Sequence, residues 1–345
     1  MMLLTRVLQR RRGLATSTAK VMLPDDANMA GNVHGGSILR LIDEIGLITS
    51  SRYASQRLNN HPREKSSEIN MALSRLNNVD FLNPMHIGDL AQLDARVTAT
   101  GSKSVEVQVD VFAENISTGK RLQTNRATLW YTMVDSDELQ SHHMPPKLRV
   151  SPFTVPPMEY SSKVEEQAAA QRYEHQKTAR TNLSGLDPVA SIRRPDALPI
   201  VSHLVLPSDC SMNKFIFGGV LMKLMDSAAA VVAMRYTKTN MVTANIDSLN
   251  MLSPSMLSNI VKVYAHPTFT STRTLEVAVY VETEDVLTGE TWRAVNGHFT
   301  FVSLGSDGQV LPIPPLVPLT HESRQDFALG HKRYLKRKAM KKIAL

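Results

Sequence analysis

The chain has 345 residues, 42% of them hydrophobic, which is enough for two domain-sized cores. Its apolar runs fall far short of the ~18–20 residues that span a bilayer, so no transmembrane segment is expected. The single cysteine, Cys210, rules out an intrachain disulfide, and no metal-ligand cluster accompanies it, so no metal site is expected. The net charge of +7 is concentrated at the ends. Residues 1–20 carry five basic residues and no acid, and residues 331–345 carry seven, leaving the body at −5. A nucleic-acid surface would have to sit on the tails, and no such partner is expected.

The chain opens with "MMLLTRVLQRRRGLATSTAK". Arginines, small hydroxylated residues and the absence of acids predict a mitochondrial transit peptide over residues 1–19. That implies a matrix location, with the cytoplasm as the alternative. "HGGSILRLIDEIGLITSSRY" follows from His34: a glycine pair and then a mostly apolar helix holding an acid, Asp43. "SVEVQVDVF" and "ATLWYTMV" read as strands, the first alternating with period two, with a buried and a solvent face. "ENISTGKR" between them is a turn, with glycine where a positive φ is easily reached.

Residues 135–195 change character. "SHHMPPKLRVSPFTVPPMEY" is too proline-rich for regular structure, and "SSKVEEQAAAQRYEHQKTAR" predicts an exposed polar helix in a linker. Then the first pattern returns. "FGGVLMKLMDSAAAVVAMRY" starts at Phe217, shifted by 183 residues from the first copy, and Asp226 stands where Asp43 stood. "TLEVAVYVE", "EDVLTGET" and "GHFTFVSL" repeat the strands and turn at a shift of 170. A single long internal repeat means two homologous domains. The expected boundaries are 20–137 for the first, 138–195 for the linker, 196–315 for the second and 316–345 for a basic tail. That tail reads as a solvated, partly frayed extension, with a basic amphipathic helix at a membrane surface or on a nucleic acid as the alternative. The fold class is α+β: tandem hotdog domains, each an antiparallel sheet wrapped around a long buried helix.

"DDANMAGNVHGG", "SDCSMNKFIFGGVLMKLMD" and "TKTNMVTANIDSLNM" together resemble the double-hotdog acyl-CoA thioesterases of the brain type. The resemblance implies hydrolysis of fatty acyl-CoA to free fatty acid and coenzyme A. Coenzyme A is then part of the substrate and no cofactor is needed. It also implies a homo-oligomer, three two-domain chains carrying six hotdog units.

Such hydrolysis needs a carboxylate, donors for the developing oxyanion and a groove for the acyl chain. A glycine pair at a helix start offers backbone N–H groups at the positive end of the helix dipole. Asp226 lies eight residues, roughly 12 Å, from Gly218, too far to serve the same carbonyl. Antiparallel pairing of the domains would instead bring it to the other helix start.

The resemblance implies a composite site that joins Asn28, which matches the family's functional asparagine, with His34, Gly35 and Gly36 to Asp226, Asn28 and Asp226 being the catalytic pair. Asp226 serves as general base or as nucleophile. The second joins Ser211, Phe217, Gly218 and Gly219 to Asp43 and lacks both the asparagine and the histidine. Lys103 and Ser104 in "GSKS" and Arg273 in "STRT" occupy turns that would face the phosphates of coenzyme A. Cys210 reads as a small buried residue. Two other readings compete: a hotdog enoyl-CoA hydratase, whose "D-x-N-x-x-H" spacing is absent, and a non-catalytic acyl-CoA-binding scaffold.

Overall fold

The computed structural model describes residues 14–29, 31–55, 70–135, 146, 148, 150–184, 199–211, 214–305 and 308–343. Each repeat wraps a strongly twisted antiparallel sheet around one helix. The first contains β1 (Ala15–Val21), α1 (Gly35–Ser55), β2 (Asn70–Phe81), β3 (Leu90–Thr100), β4 (Ser104–Glu114) and β5 (Arg121–Val134). Then comes α2 (Lys163–Ser184). The second contains β6 (Val201–Leu204), α3 (Gly218–Thr237), β7 (Asn240–Ile246), β8 (Leu249–Met251), β9 (Ile260–Thr270), β10 (Thr274–Glu284) and β11 (Thr291–Leu304). The last helix is α4 (His321–Ile343).

The alternating strands place Val105, Val107, Val109 and Val111 of β4, and Leu275, Val277, Val279 and Val281 of β10, in the core. Each such side chain contributes roughly 1.5–3 kcal/mol on burial. They pack on Ile38, Leu39, Ile42 and Ile45 of α1 and on Leu221, Met222, Met225 and Ala229 of α3. The two half-sheets join into one, in the order β1-β3-β4-β5-β2-β7-β11-β10-β9-β6, with β8 pairing β2 and β11. The seam pairs Val79 with Ile246 and Leu76 with Leu249. Both helices therefore lie on one side of a single sheet and pack on each other.

Two sequence expectations change here. Residues 15–19, assigned to a removable leader, form most of β1 and pair with β3 from Ala15↔Arg96 to Ala19↔Gln92. Residues 1–13 lie outside the described residues.

The second change concerns the linker and the tail. Each repeat is followed by the same appendage, an extended proline-rich strap and then a helix. Val155 N–H donates to Ser102 O and Met158 N–H to Thr100 Oγ1. Ile313 N–H and Leu316 N–H do the same to Thr272 O and Thr270 Oγ1, each acceptor 170 residues on.

The helices cover the outer face of the sheet, which the strand alternation assigned to solvent. Glu106 and Glu276 on that face are only 0% and 1% exposed. Arg172 of α2 donates to Glu106 (2.8 Å), and Arg333 of α4 donates to Glu276 (2.7 Å). Arg337 of α4 bonds both Asp247 and Glu276. The basic run near the C-terminus thus belongs to a packed helix anchored on buried acids.

Removing the arginine leaves a buried carboxylate without its counter-charge, which is a large penalty. Arg172→Met should lower stability by about 2–3 kcal/mol, read as a clear fall in Tm by circular dichroism. Adding Glu106→Gln to Arg172→Met should recover part of the loss.

Candidate active site

α1 and α3 cross antiparallel, and glycine permits the close approach. A Cβ on Gly36 would come within 2.8 Å of the Lys223 Cα, and one on Gly219 within 2.8 Å of the Arg40 Cα. Each helix start therefore lies against the middle of the other helix, where the acids stand. Gly36 N–H donates to Asp226 Oδ2 (2.8 Å), and Gly219 N–H donates to Asp43 Oδ2 (2.7 Å). Asp226 and Asp43 are 1% and 2% exposed. A buried carboxylate needs donors, and the first turn of a helix carries N–H groups without intrahelical acceptors.

Around Asp226 the chemistry is polar. Thr243 of β7 donates its hydroxyl to Oδ1 (2.7 Å), and His34 Nδ1 stands 3.3 Å from Oδ2. His34 Nδ1 also lies 3.0 Å from Gly36 N. When Nδ1 is unprotonated, the Gly36 N–H bridges it and the carboxylate. When Nδ1 carries the proton it faces Asp226 Oδ2 as a donor, and the two form an ion pair only with both ring nitrogens protonated. Burial pushes the Asp226 pKa up, opposed by the His34 charge, the Thr243 hydroxyl and the Gly36 N–H.

The donors divide differently from the sequence expectation. Gly36 N–H, assigned to the oxyanion, holds Asp226. Gly35 N–H has no acceptor among the described residues. A Cβ on Gly35 would stand 3.0 Å from Asp226 Oδ2 and 3.2 Å from both Thr243 Oγ1 and the Phe81 ring, so only glycine fits there without a shift of those groups.

Asn28 sits in the loop before α1, where its Oδ1 accepts from Asn32 N–H (3.1 Å). Its loop bonds, Asn28 N to Asn32 O and Gly31 N to Asn28 O, recur as Ser211 N to Phe215 O and Lys214 N to Ser211 O. The second loop thus keeps the backbone and replaces the amide with a hydroxyl that is buried and has no hydrogen-bond partner among the described residues.

The Asp43 side is closed. Leu73 stands where the other repeat has Thr243, and a Cβ on Gly218 would strike its Cδ2 at 2.5 Å. Tyr131, the counterpart of Phe301, donates its O–H to Asp43 Oδ1 (2.8 Å). Thr243, Leu73 and Tyr131 were missed in the sequence. Setting "NMALSRLNN" against "NMVTANIDS", and "ATLWYTMV" against "GHFTFVSL", exposes these exchanges of polarity.

Other expected residues lie elsewhere. Lys103 Nζ donates to Pro152 O (2.5 Å) and Phe153 O (2.7 Å), so its charge holds the strap. Ser104 is buried at the start of β4, and Arg273 is exposed in the β9–β10 turn. No bond among the described residues links any of the three to Asp226. Cys210 is half-buried, and burial together with Asp209 pushes its thiol pKa up. Among the described residues no cluster could hold a metal ion, and no helix is long and apolar enough to cross a membrane.

Comparison with known proteins agrees with this architecture. Residues 30–120 and 213–290 match the model of the thioesterase superfamily. A putative oleoyl thioesterase from Lactobacillus plantarum shares the fold at TM-score 0.54 and 8% identity, covering 85% of this chain and 98% of that one. The human cytosolic acyl coenzyme A thioester hydrolase is 39% identical over 335 residues, 94% of this chain and 84% of that protein. The rat protein of the same name is 38% identical over 345 residues, 97% of this chain and 86% of that one.

The chain is thus a thioester hydrolase of the double-hotdog class. It belongs to the thioesterase superfamily, in the family of these acyl coenzyme A thioester hydrolases. The matrix location expected from the N-terminus finds no support in these relatives, whose names call them cytosolic.

Asp43 offers a test of the closed side. Burial raises its pKa from 3.8 to about 6. Between those values the folded chain keeps a proton that the unfolded chain has lost, so stability falls as pH rises through this window and stays lower above it. Asp43→Asn removes that dependence. Its Tm relative to the unchanged protein should rise between pH 4 and pH 7, measured by differential scanning fluorimetry. A difference that does not vary with pH would count against the buried, strained carboxyl.

Proposed function

We propose that the chain hydrolyses fatty acyl-CoA at one working site, built by Asn28, His34, Gly35 and Gly36 of the first repeat with Asp226 and Thr243 of the second. The observation that carries this reading is the pairing of Asp226 with a helix start that still offers the Gly35 N–H. The thioester carbonyl approaches that helix start with its oxygen toward Gly35 N–H, and Asn28 helps to place the reacting groups. Asp226 takes a proton from water as the oxygen of that water adds to the carbonyl carbon. The tetrahedral intermediate then collapses, breaking the C–S bond and releasing coenzyme A thiolate. Both Asp226 oxygens already accept hydrogen bonds, which supports proton acceptance over direct attack. Leu73 and Tyr131 keep the Asp43 side out of turnover.

The site of action is the cytosol, in line with the named relatives. Three chains associate into a ring of six hotdog units. Exposed apolar residues recur at matching positions in the two repeats, Val21 and Leu204, Leu23 and Leu206, Ile116 and Val286, which supports similar faces meeting around a closed ring. Sedimentation should give three times the 38.3 kDa chain mass. A fully active monodisperse monomer would remove the ring.

The activity test is free-thiol release from palmitoyl-CoA. Asp226→Asn and Asn28→Ala should each cost on the order of 10²–10³-fold or more in kcat/KM. Asp43→Asn should keep most of the activity. The double variant Asp226→Asn with Asn28→Ala should lose far less than the product of the single losses, as for residues that act together. If Asp43→Asn were as damaging as Asp226→Asn with the fold intact, the one-site reading would be wrong. Acyl-CoA binding without thiol release by the unchanged protein would favour a scaffold.

A further inference from the structure

A second feature lies on the opposite face of the sheet, away from the acids. Glu106, Trp130, Arg75 and Asn250 stand in one row across β4, β5, β2 and β8, so the row crosses the seam between the repeats. Trp130 packs under Ala169 and Tyr173 of α2. Glu106 is answered by Arg172 and by the Thr98 hydroxyl.

Arg75 is answered by nothing. It is 9% exposed, it has no ion pair or hydrogen bond among the described residues, and its Nε–H is buried without an acceptor. Burial lowers its pKa, and no neighbouring acid opposes the shift. Trp130, which pairs with Arg75 across β2 and β5, has a buried indole N–H that also lacks an acceptor among the described residues. The matching position of the second repeat is Asn245, whose amide donates to Asn78, Val79 and Asp80. The unanswered cation is therefore peculiar to one half of a nearly symmetric seam.

Two neighbouring buried donors, one with a full positive charge, ask for an anionic acceptor. Water would satisfy the N–H groups and leave the charge uncompensated. A planar guanidinium matches the oxygens of a carboxylate or phosphate, with two parallel bonds available. We propose that Arg75 and the Trp130 indole form a binding site for a small oxyanion, a carboxylate or inorganic phosphate, at the seam between the two repeats. Its occupancy stabilises the junction of β2 with β8, on which the pairing of the two helices depends.

The test is thermal unfolding of the full chain at pH 7.5 and fixed ionic strength, exchanging chloride for phosphate or for acetate. At least one of the two should raise Tm in a saturable way, and which one does identifies the oxyanion. Arg75→Met should abolish that rise and be no less stable than the unchanged protein in chloride. No anion-specific rise in the unchanged protein, or a rise that persists in Arg75→Met, would overturn the proposal. If Arg75→Met does not fold, Trp130→Phe keeps the ring and removes the donor. It should weaken the anion about 10-fold, and unchanged affinity would equally overturn the site.

Discussion

The two buried aspartates and the two helix starts hold this molecule in its working form. Each carboxylate has left water and needs donors. Each helix start has N–H groups that need acceptors. The crossing of α1 over α3 satisfies both at once, twice, through Asp226 with Gly36 and Asp43 with Gly219. That crossing requires glycine, because any side chain at Gly36 or Gly219 would strike the backbone of the opposing helix. It also requires both helices on the same side of one sheet, which the seam between β2 and β7–β8 provides.

Within this near-symmetry, function depends on which side chains surround each acid. The loops before the two helices share their backbone bonds, and the strands share their register. On one side stand a threonine hydroxyl, a histidine and an asparagine. On the other a leucine stands against the glycine and a tyrosine takes the carboxylate. The first arrangement surrounds the buried acid with polar groups. The second makes the same acid part of the packing between the domains. The two repeats share one frame and differ around the acids by four exchanges: Asn28 for Ser211, His34 for Phe217, Thr243 for Leu73 and Phe301 for Tyr131.

The outer face of the sheet shows how charge can mislead when read along the chain. Glu106 and Glu276 occupy the polar positions of alternating strands, and the arginines that meet them lie in segments whose composition suggests solvent. In the fold the strap brings each helix back over its own repeat, and the two solvated-looking features bury one another. On the same face Arg75 is enclosed without a counter-charge among the described residues, which sets it apart from the paired Glu106.

The sequence alone determined the duplication, the two buried helices, the alternating strands and the acid in each helix. These are local periodicities and repeated motifs, and a chain cannot bury such faces in many ways. The pairing of Asp226 with the opposite helix start was also within reach, because eight residues of helix are too long for the acid to serve its own glycines. Only the tertiary structure decided that Gly36 N–H holds the carboxylate while Gly35 N–H has no acceptor among the described residues. It alone set Thr243 and Tyr131 against the acids, spent Lys103 on the strap, and folded the C-terminal run onto Asp247 and Glu276. Those outcomes depend on contacts between residues tens to nearly two hundred positions apart, and on which donor comes nearest. No local pattern in the chain encodes that distance.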